Sequence, residues 1–186
     1  MKNIVLLIFL LLTGSMIATH ADKTVTKKSS KRFNGNQPPV GDISIIIDKS
    51  DYELSVYDEK GWYATYPVVF GNNSLADKKM EGDKNTPEGS FSIANKRVHE
   101  KWCRYLGINY PTAEDRAKFA ERKRKGEIPK NASIGGGVGI HGTWPHEDFQ
   151  IDRFKNWTLG CISMKNEDVI ELYGFTNMGA KVTIRK

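Results

Sequence analysis

The stretch 52–57 limits what this chain can become more than any other. Tyr52, Leu54 and Val56 alternate with Glu53, Ser55 and Tyr57, the period of a strand with one face buried. It is bracketed by Asp48-Lys49-Ser50-Asp51 and Asp58-Glu59-Lys60-Gly61, both made of turn-forming residues. Residues 43–48 before it are mostly apolar and β-branched. Residues 62–70 after it read as a third strand, with Pro67 marking an edge or a bulge. The body therefore opens as a β-meander. Seventeen glycines with eight Phe, seven Tyr and four Trp also favour a β-rich, turn-rich body over a helical bundle.

Further along, residues 90–97 resume the alternation through Phe91 and Ile93. Thr112 then offers a helix cap, with Glu114 and Asp115 in the first turn and Gly126 past the end. Glu114 with Lys118, and Glu121 with Lys125, have the i,i+4 spacing of helix-surface pairs. The basic run Arg122-Lys123-Arg124-Lys125 suits the negative end of a helix dipole better than it suits a separate binding patch. A short strand is expected at 138–140, after Gly135, Gly136 and Gly137. Asn166 looks like the cap of a last helix over 167–173, closed by Gly174, and Val182 with Ile184 alternate in a final strand. The periodicity thus predicts a mainly β body with late helices.

Two segments precede that body. Lys2 leads into an unbroken apolar run over residues 4–12, which Thr13, Gly14 and Ser15 interrupt. Residues 1–21 are expected to be a secretory signal cleaved after Ala21. Nine apolar residues fall short of the roughly 20 that span a bilayer as a helix, so no stable membrane span is expected after cleavage; an uncleaved anchor reaching Ile17 is the alternative. Residues 22–40 hold Lys23, Lys27, Lys28, Lys31 and Arg32 against Asp22, with little to bury, and read as a flexible basic linker. Of the 28 bases and 22 acids in the chain, these two segments hold six and one. The domain at 41–186 is left near neutrality, which offers no electrostatic case for nucleic acid.

The residues able to do chemistry gather between His141 and Cys161. Two cysteines rule out a disulfide scaffold and a four-cysteine zinc module. Spacing alone leaves open both a Cys103–Cys161 disulfide and a free thiol. The surroundings of Cys161 favour the thiol: Gly160 permits close backbone approach and unusual φ, so that N–H groups near Cys161 can face a developing oxyanion. Cys103, between Trp102 and Arg104, has no such device. A thiol needs a base. His20 lies in the signal, His99 in a charged stretch and His146 beside Pro145 and Glu147, while His141 follows the strand at 138–140. Chemistry alone permits a Cys161–His141 pair without singling it out. A metal site from His141, His146, Asp148 or Cys161 is disfavoured, since a gap of five residues does not place two ligands on one helix face and Pro145 opposes a helix there. No metal or other cofactor is expected.

Ile140-His141-Gly142-Thr143, then sixteen residues, then Gly160-Cys161-Ile162 resembles the signature of the L,D-transpeptidase catalytic domain (YkuD type). Gly82-Asp83-Lys84-Asn85-Thr86-Pro87-Glu88-Gly89 is similar to a hairpin segment of that family. Asn109-Tyr110-Pro111 with Asp115, and Asn166 with the helix after it, match neighbouring segments. The resemblance covers the body from Ile43 onward. It implies a β-sandwich or flattened barrel with two or three short helices, and Cys161 at the end of a groove.

It also implies an exported, periplasmic enzyme acting on peptidoglycan stem peptides. Cys161 would be the nucleophile and His141 its base, with backbone at Gly160 and Cys161 holding the oxyanion. Gly142, Thr143, Trp144, Trp157, Thr158 and Ser163 are the candidate substrate-binding residues. The third-position diamino acid would be held as a thioester and passed to an amine, on a second stem or on an envelope protein. Two positions differ from the commonest family motif: Leu159 stands where it has histidine, and Ser163 where it has Arg or Asn. The form Trp-Thr-x-Gly-Cys-Ile looks more like a branch that includes enzymes cutting peptidoglycan–protein links. Hydrolysis of such links or of terminal D-Ala, with an envelope protein as released product, is therefore the alternative; a non-catalytic wall-binding module is a more distant one.

Overall fold

The computed structural model describes residues 31–32 and 37–186. The expected secretory signal lies outside the described residues, as does most of the expected linker. The opening meander is present as β2 (Ser44–Asp48), β3 (Glu53–Asp58) and β4 (Gly61–Pro67), paired antiparallel in sequence order. Ile45, Ile47, Leu54 and Val56 point into the core, while their neighbours along each strand are only half-buried. The short β1 (Lys31–Arg32) pairs with the outer edge of β4.

The remaining strands are β5 (Gly89–His99), β6 (Cys103–Ile108), β7 (Gly139–His141), β8 (Ile162–Ser163) and β9 (Lys181–Arg185). Together they form a sheet of order β1-β4-β3-β2-β9-β5-β6-β7-β8. Strand β9 inserts between β2, which it joins in parallel, and the first half of β5. The second half of β5 leaves β9 and pairs with β6, with an irregularity in register between Ile93 and Asn95. A bulge of this kind bends and twists a strand, and here it turns the sheet over on itself. Beyond β4, Val69 meets Ser163 through a reciprocal pair of backbone bonds of 2.8 and 2.9 Å. That bridge brings β8 back toward the β4 side, so the sheet is curled like a half-barrel around one apolar core.

Three helices complete the mainly β architecture: α1 (Ala113–Arg124), α2 (Phe149–Asp152) and α3 (Asn166–Phe175). Thr112 caps α1 in a reciprocal box with Asp115, and both i,i+4 pairs form. The basic last turn is tied down locally: Arg124 and Lys125 pair with Glu121, and Arg122 reaches Asp77 at 2.8 Å. In α3 the cap position falls on Lys165, because the Asn166 side chain is committed elsewhere. Gly174 lies inside the helix rather than beyond it. Among the described residues, no helix is long and apolar enough to cross a membrane.

Candidate active site

His141 ends β7, between β6 and β8, and is only 2% exposed. Its ring is enclosed by aromatics. Trp102 stacks on it at 4.6 Å between centroids, Tyr105 lies nearly parallel at 6.5 Å, and Trp157 meets it edge-on at 5.5 Å. Nδ1 is 2.7 Å from the Gly142 carbonyl. A carbonyl only accepts, so Nδ1 carries the proton and Nε2 keeps its lone pair. The same carbonyl accepts from the Ser163 hydroxyl at 3.3 Å. Gly142 N–H donates to the Trp102 carbonyl at 3.0 Å, and a Cβ at Gly142 would sit 2.8 Å from that oxygen and collide with the Asn166 carboxamide. The next residue is fixed just as firmly. Thr143 N–H donates to Asn166 Oδ1 and its hydroxyl to Asp148, which also accepts the Asn166 N–H. The chain leaving His141 is thereby fastened to the start of α3.

Cys161 is held from the other side of the fold. The Phe70 carbonyl accepts from Trp157 N at 2.9 Å and Thr158 N at 3.1 Å, while Phe70 N–H donates to Asn156 Oδ1 at 2.7 Å. Thr158 Oγ1 donates to the Cys161 carbonyl at 2.7 Å and accepts from Gly160 N–H at 3.1 Å, closing a tight turn. Gly160 has φ of +126°, and a Cβ there would lie 2.8 Å from the Asn85 carbonyl, so only glycine fits. The Cys161 thiol points to the Gly137 carbonyl at 3.5 Å, which the Tyr105 hydroxyl also reaches at 2.9 Å.

His141 and Cys161 line one cleft of about 620 Å³. Gly135, Gly136 and Gly137 form one wall and 157–160 another, with Lys78, Glu81, Lys84 and Arg97 contributing charge. Burial pushes the His141 imidazole down to about 4; the Gly142 carbonyl opposes this, and His99 adds to it. Burial likewise pushes the Cys161 thiol up, partly offset by the Gly139 N–H and the Lys78 ammonium. At neutral pH the pair is therefore thiol and imidazole, not thiolate and imidazolium. An imidazole with its Nε2 lone pair free is a chemically competent acceptor for a thiol proton.

Residues 42–184 match the sequence profile of the L,D-transpeptidase catalytic domain (YkuD). The chain belongs to this family. YqjB of Bacillus subtilis, named as an L,D-transpeptidase, is 27% identical over 155 residues, covering 81% of this chain and 75% of that protein. YafK of Escherichia coli, also named as one, is 22% identical over 187 residues, covering 94% of this chain and 64% of that protein. The fold is shared with the helical cell shape determining protein Pgp2 of Campylobacter jejuni (TM-score 0.56, 22% identity, 77% of this chain and 47% of that one). It is shared too with an L,D-transpeptidase from Stackebrandtia nassauensis (TM-score 0.51, 16% identity, 84% of this chain and 61% of that one). The chain thus spans about half the length of the Pgp2 chain.

Within this L,D-transpeptidase domain, the structure brings Cys161, His141, Gly160, Trp157 and Thr158 to the cleft. Gly142, Thr143 and Ser163 lie behind His141, buried and hydrogen-bonded to its support. Trp144 faces away, 37% exposed, beside Lys101 in a separate shallow depression. Asp148 is spent on Thr143 and Asn166, and among the described residues no group of three or more His, Cys, Asp or Glu could hold a metal. Both cysteines are free, so the disulfide that spacing left open does not form. Sequence reasoning passed over Lys78, Tyr105 and Trp102, all on the cleft wall. Trp102 had a faint signal as an aromatic beside a cysteine; Lys78, in a long polar stretch, had none.

Proposed function

We propose that the chain is an exported cysteine acyltransferase acting on peptidoglycan stem peptides in the periplasm, with residues 1–21 as its signal and 41–186 as its catalytic domain. The observation that carries this reading is the placement of a free thiol and a neutral, Nδ1-protonated imidazole in one cleft. Nε2 of His141 takes the proton as Cys161 Sγ attacks the carbonyl of the third-position diamino acid. The terminal D-Ala leaves with a proton returned from His141, and the stem remains as a thioester. An amine of a second stem or of an envelope protein then attacks, and the thiol is restored. Water in place of the amine gives hydrolysis.

The charges of the cleft support a substrate of this kind. Lys84 and Arg97 outnumber Glu81 at its rim, which suits a peptide rich in carboxylates. The aromatic walls around His141 limit water at the thioester, a condition that favours an amine acceptor.

The test is mass spectrometry of the chain from Asp22 mixed with tetrapeptide muropeptides, beside Cys161→Ala. A thioester adduct on the wild type alone is expected. A cross-linked dimer among the products indicates transfer, and a shortened stem without dimer indicates hydrolysis. The absence of both adduct and product would defeat the acyl-enzyme reading for these stems.

A further inference from the structure

An oxyanion hole built from the Gly160 and Cys161 N–H groups has a gap. Gly160 N–H is already given to Thr158 Oγ1 at 3.1 Å, while the Cys161 N–H has no hydrogen-bond partner among the described residues. Beside that turn lies a cation. The Lys78 side chain, 4% exposed, forms part of the cleft wall, and a Cβ built on Gly160 would be 3.7 Å from its Nζ. We propose that Lys78 is a positioning residue of the site, a fixed ammonium that takes the place of the Gly160 N–H in stabilising negative charge on the Cys161 sulfur and on the oxygen of the carbonyl whose carbon the sulfur attacks.

The lysine is held where this role needs it. Its ammonium pairs with Asp83 at 2.8 Å. Asp83 also accepts the N–H groups of Lys79 at 2.6 Å, Met80 at 3.0 Å and Asn85 at 2.9 Å. Burial raises the Asp83 carboxyl, but Lys78 and these N–H groups outweigh it and hold the carboxyl below its ordinary range. Arg122 of α1 donates to the Lys78 carbonyl at 2.7 Å, so backbone and head group are both anchored. A nearly covered ammonium with a resident carboxylate partner is a poor clamp for a substrate carboxylate. It is well placed to act across a short distance on the turn beside it.

The charge balance of the reaction calls for such a group. Passing a proton from Sγ to Nε2 converts two neutral groups into thiolate and imidazolium. Formation of the S–C bond then moves the negative charge to the carbonyl oxygen, with no change of oxidation state. Separating charge between buried groups is costly unless opposite charge is already in place, and Lys78 is the side-chain cation that eases ionisation of Cys161.

The role at the oxyanion rests on the acyl-transfer reading; the role at sulfur does not, and the test is made there. Iodoacetamide alkylates Cys161 in the full chain, with peptide mass mapping to separate it from Cys103, across a pH series. Lys78→Gln keeps a donor to Asp83 and removes the charge; its alkylation midpoint moves up and its rate at neutral pH falls by about ten-fold or more. Lys78→Arg restores most of the rate. Asp83→Asn leaves the ammonium unneutralised and moves the midpoint down. A purely architectural loop would move the Lys78→Gln and Asp83→Asn profiles in the same direction, and that result overturns the proposal. If Asp83→Asn does not fold, the Gln and Arg variants decide alone, and matching profiles for the two overturn it.

Discussion

The indole of Trp102 lies on the His141 imidazole, 4.6 Å between centroids and 24° from parallel, while the Trp102 carbonyl accepts the N–H of the residue after that histidine. One residue at the tip of the β5–β6 hairpin thus fixes both the ring and the backbone at His141, the proposed base. On its outer face Trp102 carries His99, stacked at 4.4 Å. Trp102→Ala should cost about 2 kcal/mol of stability from lost burial and stacking, and should lower kcat more than it raises KM. Trp102→Phe should retain most of both. Urea unfolding and steady-state kinetics check this; an alanine variant with wild-type kcat would show that the stack does not orient the base.

Burial of His141 sets an acid limit on the fold. Its imidazole is held down to about 4, against about 6.5 in an unfolded chain. Between those values the unfolded state binds more protons, so stability is fully present above about pH 6.5 and is lost as pH falls through 4. The loss from this group is on the order of 3 kcal/mol. Urea midpoints of wild type and His141→Gln, compared at neutral pH and again near the acid limit, should converge as the pH falls. A constant gap would count against a buried neutral imidazole.

Ser163 occupies the position where the commonest family motif places Arg or Asn. Here it is fully buried behind His141, donating to the Gly142 carbonyl at 3.3 Å. Ser163→Ala should cost about 1 kcal/mol and reduce activity modestly. Ser163→Arg has no room and no counter-ion; it should destabilise by roughly 3 kcal/mol or more. A Ser163→Arg protein that melts with the wild type would place this residue in the cleft after all.

The Gly-Asp-x-x-Thr-Pro-x-Gly segment acts as an internal brace. Glu88 pairs with the buried Lys49 at 2.6 Å, and Lys49 also donates to the carbonyls of Ala76 and Thr86. Glu88→Ala leaves a buried ammonium without its counter-charge and should cost about 3 kcal/mol, with protease cutting first in residues 71–88. Thermal melting and limited proteolysis provide the comparison.

What the sequence revealed follows from how local each signal is. The 112–124 helix was legible because its cap, its first-turn acids and its surface pairs lie within a few residues of one another. Strands β2 to β4 were legible through alternation and turns. Strand β6 was not, because Gly107 within it reads as a breaker; it is needed there, since a Cβ would run into the Asn95 side chain. Strand β8 is two residues long and exists only through its partners, β7 and Val69. Local cues, a strand end and a glycine, made His141 and Cys161 candidates, and the resemblance to the family motif singled them out. Thr143 and Ser163 look like pocket residues in a linear motif, yet tertiary hydrogen bonds turn them inward. The role proposed for Lys78 rests on its placement against Asp83 and Gly160, neither of which is beside it in the chain.

Strand β9 lies in the middle of the sheet, hydrogen-bonded to β2 on one side and β5 on the other. During synthesis, then, β2 and β5 lack the strand that lies between them until residues 181–185 have been made. Cys161, His141 and the Lys49–Glu88 brace are all translated before the strand that joins β2 to β5. Such long-range pairing is slow to form. In a chain of this design the sheet closes only after the residues of the cleft have all been made.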